Sequence, residues 1–391
     1  MKTGDTLYLD HQATTPLDSR VLDEMRPHLA ERFGNPHSTD HAMGWHAAQA
    51  VERAAGQVAA LVGADADEVI FTSGATEANN LALLGFGRRA ADGKRKRILL
   101  GETEHKSVLA LGRVLTERCG YTVTMLPVDC QGRLDLQSLE EALDDQVLVV
   151  SIMAVNNEIG TIQDVAAISR MVAVHGARLH CDCAQAPCAM DLNAIAGLVD
   201  FLSLSAHKMY GPIGIGALYI RRDLQGMIEP IIYGGGQQNG LRSGTVPAAL
   251  CVGFGASARL LAGDPGLRER NVTARRRDKF RERLKDTLQA VWFNGPSDRD
   301  FCHPGNLNVG FDGVAASDLL ARIQPRLAAS TGSACTSGIP EPSHVLRAIG
   351  LDQGKANSCV RFSLGRYTTD EDVASAVEII CSALEDSLAT A

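Results

Sequence analysis

Short apolar runs alternate with longer stretches of helical period through the first half of the chain. EVIFTSG, RILLGETEH, YTVTMLPV, VLVVSIMAVNNE, ARLHCDCAQ, FLSLSAHK and GIGALYI read as strands, and segments such as ATEANNLALLGF read as helices between them. Strands that are apolar nearly throughout are buried on both faces, so the alternation predicts an α/β fold with a mostly parallel, helix-covered sheet. Most of these runs end in polar or glycine-rich residues. Open α/β sheets bind ligands outside the carboxyl ends of their strands, and the chemistry is expected there.

After about Cys251 the pattern changes. The segment LRERNVTARRRDKFRERLKD predicts a charged amphipathic helix leading into a second unit. Glu269, Asp278, Glu282 and Asp286 interleave with its arginines, so it reads as a solvated face rather than a nucleic-acid patch. The basic run Lys94 to Arg97 reads the same way, as a loop before a strand. A chain of 391 residues exceeds the usual size of one core and predicts about two domains. Its 45% hydrophobic content includes only 5% aromatics, so Val, Ile, Leu and Ala must build the interior. A net charge of −8 gives no general attraction to nucleic acid or acidic lipid. Neither a signal peptide nor a membrane-length apolar run is visible, which predicts a cytoplasmic protein whose ten cysteines are free thiols.

Two sets of residues at strand ends carry candidate chemistry. In Phe71-Thr72-Ser73-Gly74-Ala75-Thr76-Glu77, glycine permits a tight turn and the following helix N-terminus offers unpaired N–H donors to an anion. Alone, the motif reads more readily as an ordinary capped turn. The second set is Asp182, which ends ARLHCD, with Ser205, His207 and Lys208, which end FLSLSAHK. Adjacent parallel strands would bring them together. They could form a structural ion pair, but pyridoxal 5'-phosphate (PLP) accounts for more. That cofactor needs a lysine for its Schiff base, an acid for its pyridine nitrogen and an anion site for its phosphate.

The chain resembles the NifS/IscS-type cysteine desulfurases, class-V aminotransferase-like enzymes of PLP fold type I. The resemblance runs nearly end to end through YLDHQATTP, FGNPHS, FTSGATEANN, TEHKSVL, VNNEIG, SAHKMYGPIGIG, GGGQQNGLRSGT, SACTSG and RFSLGRYT. It implies a large PLP-binding α/β domain over residues 15–258 and a small α+β domain made of residues 1–14 and 259–391. Lys208 would hold PLP covalently, Asp182 would pair with the pyridinium and His105 would stack on the ring and serve as an acid or base. Asn157 and Gln185 would meet the ring hydroxyl. Ala75, Thr76, Ser205 and His207 would hold the phosphate, with Thr245 reaching it from the partner of a homodimer. Asn35 and Arg361 would bind the carboxylate of L-cysteine.

Cys335 lies in STGSACTSGIPEP, a polar, glycine-bounded stretch unlike the apolar surroundings of a structural cysteine. The resemblance makes it the nucleophile that takes sulfur as a persulfide and passes it to a protein acceptor. That acceptor could serve iron–sulfur assembly, tRNA thiolation or DNA sulfur modification. The Cys181, Cys183 and Cys188 cluster beside His180 could hint at a metal. Because Cys181 and Cys183 share one strand face, packing is the reading favoured. The family commonly has Ala-Thr where this chain has Cys183-Ala184, which removes a hydroxyl near Asp182. A selenocysteine lyase, an aminotransferase or a non-catalytic PLP-binding regulator are the alternatives.

Overall fold

The structure is a computed structural model and describes residues 2–332 and 343–388. After two short N-terminal strands, β1 (Lys2–Thr3) and β2 (Thr6–Tyr8), come the seven strands of the main sheet. These are β3 (Val69–Thr72), β4 (Arg97–Gly101), β5 (Thr122–Leu126), β6 (Val147–Met153), β7 (Arg178–Asp182), β8 (Phe201–Ser205) and β9 (Gly216–Ile220). Each apolar run picked out in the sequence supplies one of them. Their spatial order is β3-β9-β8-β7-β6-β4-β5, parallel except that β9 runs against both its neighbours.

Successive side chains leave opposite faces of a strand, and the two faces build two cores. Phe71, Val150, Leu179, Leu202 and Leu204 pack on one face with the helix Ala42–Val62. Ile70, Ile98, Leu100, Val149 and Phe201 pack on the other with the helix Lys106–Cys119. β6, β8 and β9 are buried throughout, whereas the edge strand β5 is half open, with Met125 exposed. Covering on both faces explains why the runs lack a polar alternation.

The remaining strands are β10 (Val291–Asn294), β11 (Asn306–Phe311), β12 (Leu327–Ala328) and β13 (Cys359–Ser363). β10, β11 and β13 form an antiparallel sheet, and β1, β2 and β12 form a third. Phe280, Leu284, Val309, Phe362 and Ile380 make the core between the first of these and the helices Gly263–Thr287 and Asp370–Leu388. The charged helix Gly263–Thr287 is less solvated than its composition implies. Thr273, Arg277, Phe280 and Leu284, spaced three or four apart, form a buried stripe. Arg277 tolerates burial because its guanidinium meets Asp278 at 2.6 Å and donates to the His303 carbonyl at 3.3 Å.

Candidate active site

The carboxyl ends of β3, β4, β6, β7 and β8 converge on a cavity of about 530 Å³. Ten residues expected from sequence line it: Ala75, Thr76, His105, Asn157, Asp182, Gln185, Ser205, His207, Lys208 and Arg361. Asp182 ends β7 with its side chain toward the cavity, while Cys181 and Cys183 point into the core on the other face. One Asp182 oxygen accepts the Ala184 N–H at 2.9 Å and the other accepts Asn79 Nδ2 at 2.8 Å. The carboxylate therefore keeps two donors although Ala184 brings no hydroxyl.

Asn79 also donates to Ser107 Oγ at 2.9 Å, and that hydroxyl lies 2.8 Å from His105 Nδ1. His105 caps its helix by accepting the Ser107 N–H on Nδ1 at 3.2 Å. Burial lowers the imidazole pKa, opposed in part by the Asp182 charge. A neutral ring that accepts at Nδ1 carries its proton on Nε2. Behind it, burial and the Asp182 charge push the Glu104 carboxyl well above its ordinary range, and Glu104 Oε1 accepts the Met153 N–H.

Lys208 follows β8 in a single 3₁₀ turn, and its Nζ donates to the carbonyls of Gln12 at 2.6 Å and Ala13 at 2.8 Å. Gln185 Nε2 donates to the same Gln12 carbonyl at 2.9 Å. Between β3 and the helix Ala75–Asn80, Gly74 adopts φ 151°, which glycine alone takes readily. The turn sits so close to β9 that a Cβ on Gly216 would lie 2.6 Å from Gly74 Cα. Glu77 locks it by accepting the Ser73 N–H at 2.7 Å and Arg242 Nε at 2.8 Å. Beside the turn, burial and then the neighbouring Lys208 charge lower the His207 pKa to about 4, so this ring is neutral at pH 7. An exposed-backbone turn, two hydroxyls, a buried carboxylate and a lysine in one cavity fit PLP.

Arg361, in the middle of β13, is buried and committed on two of its nitrogens. Nη2 donates to Asp10 Oδ1 at 2.6 Å and Ser330 Oγ at 2.9 Å, and Nη1 donates to the Asn157 carbonyl at 2.6 Å. Its Nε is buried without a hydrogen-bond partner among the described residues. Asn35 and Thr245 are not brought to the cavity. Both are exposed, and Asn35 Oδ1 instead accepts the His37 N–H at 3.0 Å on a surface segment with exposed Phe33 and Trp45. Cys335 lies outside the described residues. Among the described thiols, burial pushes Cys183 well above its ordinary value, Cys188 to about 12 and Cys359 to about 11. Each is thus a poor nucleophile at neutral pH. His180 is held between Ser151 Oγ at 2.8 Å and Ser203 Oγ at 3.2 Å, a satisfied core histidine.

Sequence reasoning passed over Asn79, Asp10 and Ser330. Asn79 lies three positions after Thr76 in FTSGATEANN, a helical spacing that puts both on one face. Asp10 lies within YLDHQATTP but carried no local hint of its partner.

A strand-end lysine and carboxylate facing a glycine-turn cradle define a PLP-type site on an α/β sheet. The chain belongs to the class-V aminotransferase family, whose pattern matches residues 7–375, and enzymes of this family use PLP. It is 44% identical over 376 residues to the cysteine desulfurase IscS of Rickettsia bellii (strain OSU 85-389), covering 96% of this chain and 90% of that one. Among solved structures, a NifS-like protein superposes with a TM-score of 0.89 at 33% identity, over 97% of this chain and 99% of its own. SspA in complex with cysteine superposes with a TM-score of 0.81 at 33% identity, over 93% of this chain and 100% of its own.

Proposed function

We propose that the protein is a cysteine desulfurase: it converts L-cysteine to L-alanine and keeps the sulfur as a persulfide on Cys335 for a protein acceptor. The observation that carries this reading is the single cavity shared by the Lys208 amine, the His105 imidazole and the Arg361 guanidinium. Near full-length identity to IscS cysteine desulfurases supports it, as does the likeness to a structure that holds cysteine. PLP, when bound, supplies the electron sink that makes the Cα proton of an amino acid acidic.

The chain's residues do the rest. Asp182, fixed by Asn79 and Ala184, would hold the proton on the pyridine nitrogen. Ala75, Thr76, Ser205 and His207 would hold the phosphate, and Asn157 and Gln185 the ring hydroxyl. Lys208 takes the Cα proton of L-cysteine, and the Arg361 Nε, without a partner among the described residues, is a donor left over for its carboxylate. His105, neutral with its proton on Nε2, exchanges a proton at the substrate sulfur. Cys335 attacks that sulfur. The carbon–sulfur bond breaks, a sulfur–sulfur bond forms, the β-carbon gains one proton to become a methyl group, and Lys208 returns a proton to Cα to complete L-alanine, so no external oxidant is consumed.

Thr245 belongs to this reading as a residue that would reach the phosphate from the partner of a homodimer, and Asn35 as a ligand of the substrate carboxylate. A large domain over 15–258, a small one of 1–14 and 259–391, and a cytoplasmic setting also belong to it. No helix among the described residues is long and apolar enough to cross a membrane. Incubation of the purified holoenzyme with L-cysteine and a thiol reductant tests the activity. Alanine and sulfide should appear in equal amounts. A protein that binds PLP, shifts its spectrum with L-cysteine and makes neither product is not a desulfurase. One that makes alanine only from selenocysteine is a selenocysteine lyase.

A further inference from the structure

The two chain stems that flank residues 333–342 come to rest on one buried side chain. Glu158 is 3% exposed and sits in the turn after β6, where its N–H donates to Asn156 Oδ1 at 2.8 Å. Its backbone carbonyl accepts Asn306 Nδ2 at 3.1 Å and Asn308 Nδ2 at 3.2 Å, which ties it to β11. Its carboxyl Oε2 accepts the Ser343 hydroxyl, and Ser343 Oγ in turn caps the helix His344–Ala348 by accepting the Leu346 N–H at 3.2 Å.

The other stem lies along the same side chain. Gly332, at φ 82°, packs so closely that a Cβ there would stand 3.1 Å from Glu158 Cγ and 3.4 Å from its Cβ. Gly332 is further fixed through its N–H to Ser330 Oγ at 3.2 Å, and Ser330 Oγ accepts Arg361 Nη2. Both Gly332 and Glu158 line the cavity.

Cys335 is the third residue after Gly332. The segment that bears the nucleophile is joined to one stem at Gly332 and, eight residues after Cys335, to the other at Ser343. Misplacement of a reacting group by about an ångström costs up to ~100-fold in rate.

We propose that Glu158 is a positioning residue for sulfur transfer: it pins both stems and so sets where the chain bearing Cys335 leaves and re-enters the cavity wall. The inference rests on the desulfurase reading, with Cys335 as nucleophile. Glu158 acts on the second half of the reaction, the attack on sulfur, and not on PLP or substrate binding. Alanine removes the anchor. Glutamine keeps an oxygen that can accept the Ser343 hydroxyl, and should rescue.

The test uses PLP-loaded enzyme and separates the two halves. In Glu158→Ala the cofactor absorbance, the L-cysteine-induced spectral change and the concentration of L-cysteine giving half that change should match wild type within about twofold. Persulfide formed on Cys335 in a single turnover, read by mass spectrometry, should slow by ~10–100-fold, the scale on which misplacement of a reacting group acts. Glu158→Gln should recover most of that rate. Ser343→Ala deletes the donor hydroxyl, along with the helix cap it makes, while leaving Glu158 in place; it should show the same split, which keeps the question open to measurement should Glu158→Ala not fold. Persulfide at the wild-type rate in Ser343→Ala and Glu158→Ala overturns the inference. So does an equal loss of spectral change and persulfide, which would place Glu158 in binding or in the fold. Wild-type enzyme that carries no persulfide on Cys335 fails the desulfurase reading instead, whatever the Glu158 variants do.

Discussion

At the ends of β7 and β8, Asp182 and Lys208 are placed by neighbouring strands of one sheet, and Lys208 Nζ also reaches the Gln12 and Ala13 carbonyls of the N-terminal segment. Asp182 is held by Ala184 and Asn79, and the turn that faces it is locked by Glu77 and Arg242. The wall around Arg361 is assembled differently. Its guanidinium is held by Asp10, Asn157 and Ser330, which come from three segments scattered along nearly the whole chain. The first wall is mainly a product of one sheet's topology, with the Gln12 and Ala13 carbonyls added at Lys208. The second exists only once the N-terminal segment, the turn after β6 and β13 have all docked. In the proposed desulfurase the first wall holds the cofactor, which must stay put, and the second meets substrates and products that come and go. Changes in the first should therefore abolish chemistry, while changes in the second should chiefly alter how substrate is held.

Asp182→Asn is the most damaging test of the first wall. It keeps the shape and removes the charge that holds the pyridine nitrogen protonated. PLP should still bind, and turnover should fall ~100-fold or more, the scale on which an electrostatic contact at the reacting system acts. Near-normal alanine production would make the carboxylate merely structural. Arg361→Lys tests the second wall, since a point charge cannot reproduce the guanidinium fork. The cofactor spectrum should be unchanged while KM for L-cysteine rises ~10–100-fold. A loss confined to kcat would contradict the division of labour.

A smaller effect is expected for Asn79→Ala, which deletes one donor to Asp182 and the link to Ser107. Turnover should drop about tenfold, since a hydrogen bond to a charged group is worth about 1.5–3 kcal/mol, and KM should hardly move. An unchanged kcat would show that the Ala184 N–H orients Asp182 by itself. The smallest concerns His207, whose pKa of about 4 rises to the ordinary 6.5 on unfolding. Between those values the unfolded chain binds more protons, so this group lowers stability as the pH falls and contributes no slope above 6.5. His207→Gln should thus gain on wild type in urea midpoint between pH 7.5 and pH 5. A constant difference would mean that the ring titrates alike in the folded and unfolded protein.

Much of the first wall was legible in the sequence, because its residues are read off strand ends and the strands off their apolar runs. The order of the main sheet and the close approach of Gly74 to Gly216 were not, since they depend on which strands pair. Asn79 was hidden because its partner, Asp182, lies in another βα unit. Arg361 was picked out through a family resemblance, yet its engagement with Asp10 joins opposite ends of the chain and leaves no local pattern. Arg277 shows the same blindness in reverse: in a helix crowded with charge, nothing in composition separates one buried guanidinium from its solvated neighbours. The short antiparallel strands β10, β11 and β13 have no long apolar run to announce them.

The central claim, that this cavity delivers sulfur from L-cysteine to one thiol, meets its most direct test in Cys335→Ser. Serine keeps the approximate volume but is hardly ionised at neutral pH, whereas a thiol is a ready nucleophile. Wild-type holoenzyme given one equivalent of L-cysteine, digested without reductant and read by mass spectrometry, should carry one extra sulfur on the peptide that contains Cys335. The Cys335→Ser protein should bind PLP, change its spectrum with L-cysteine, and yield neither persulfide nor alanine. Extra sulfur on a different cysteine of the wild type, or alanine from Cys335→Ser at a comparable rate, would contradict the account.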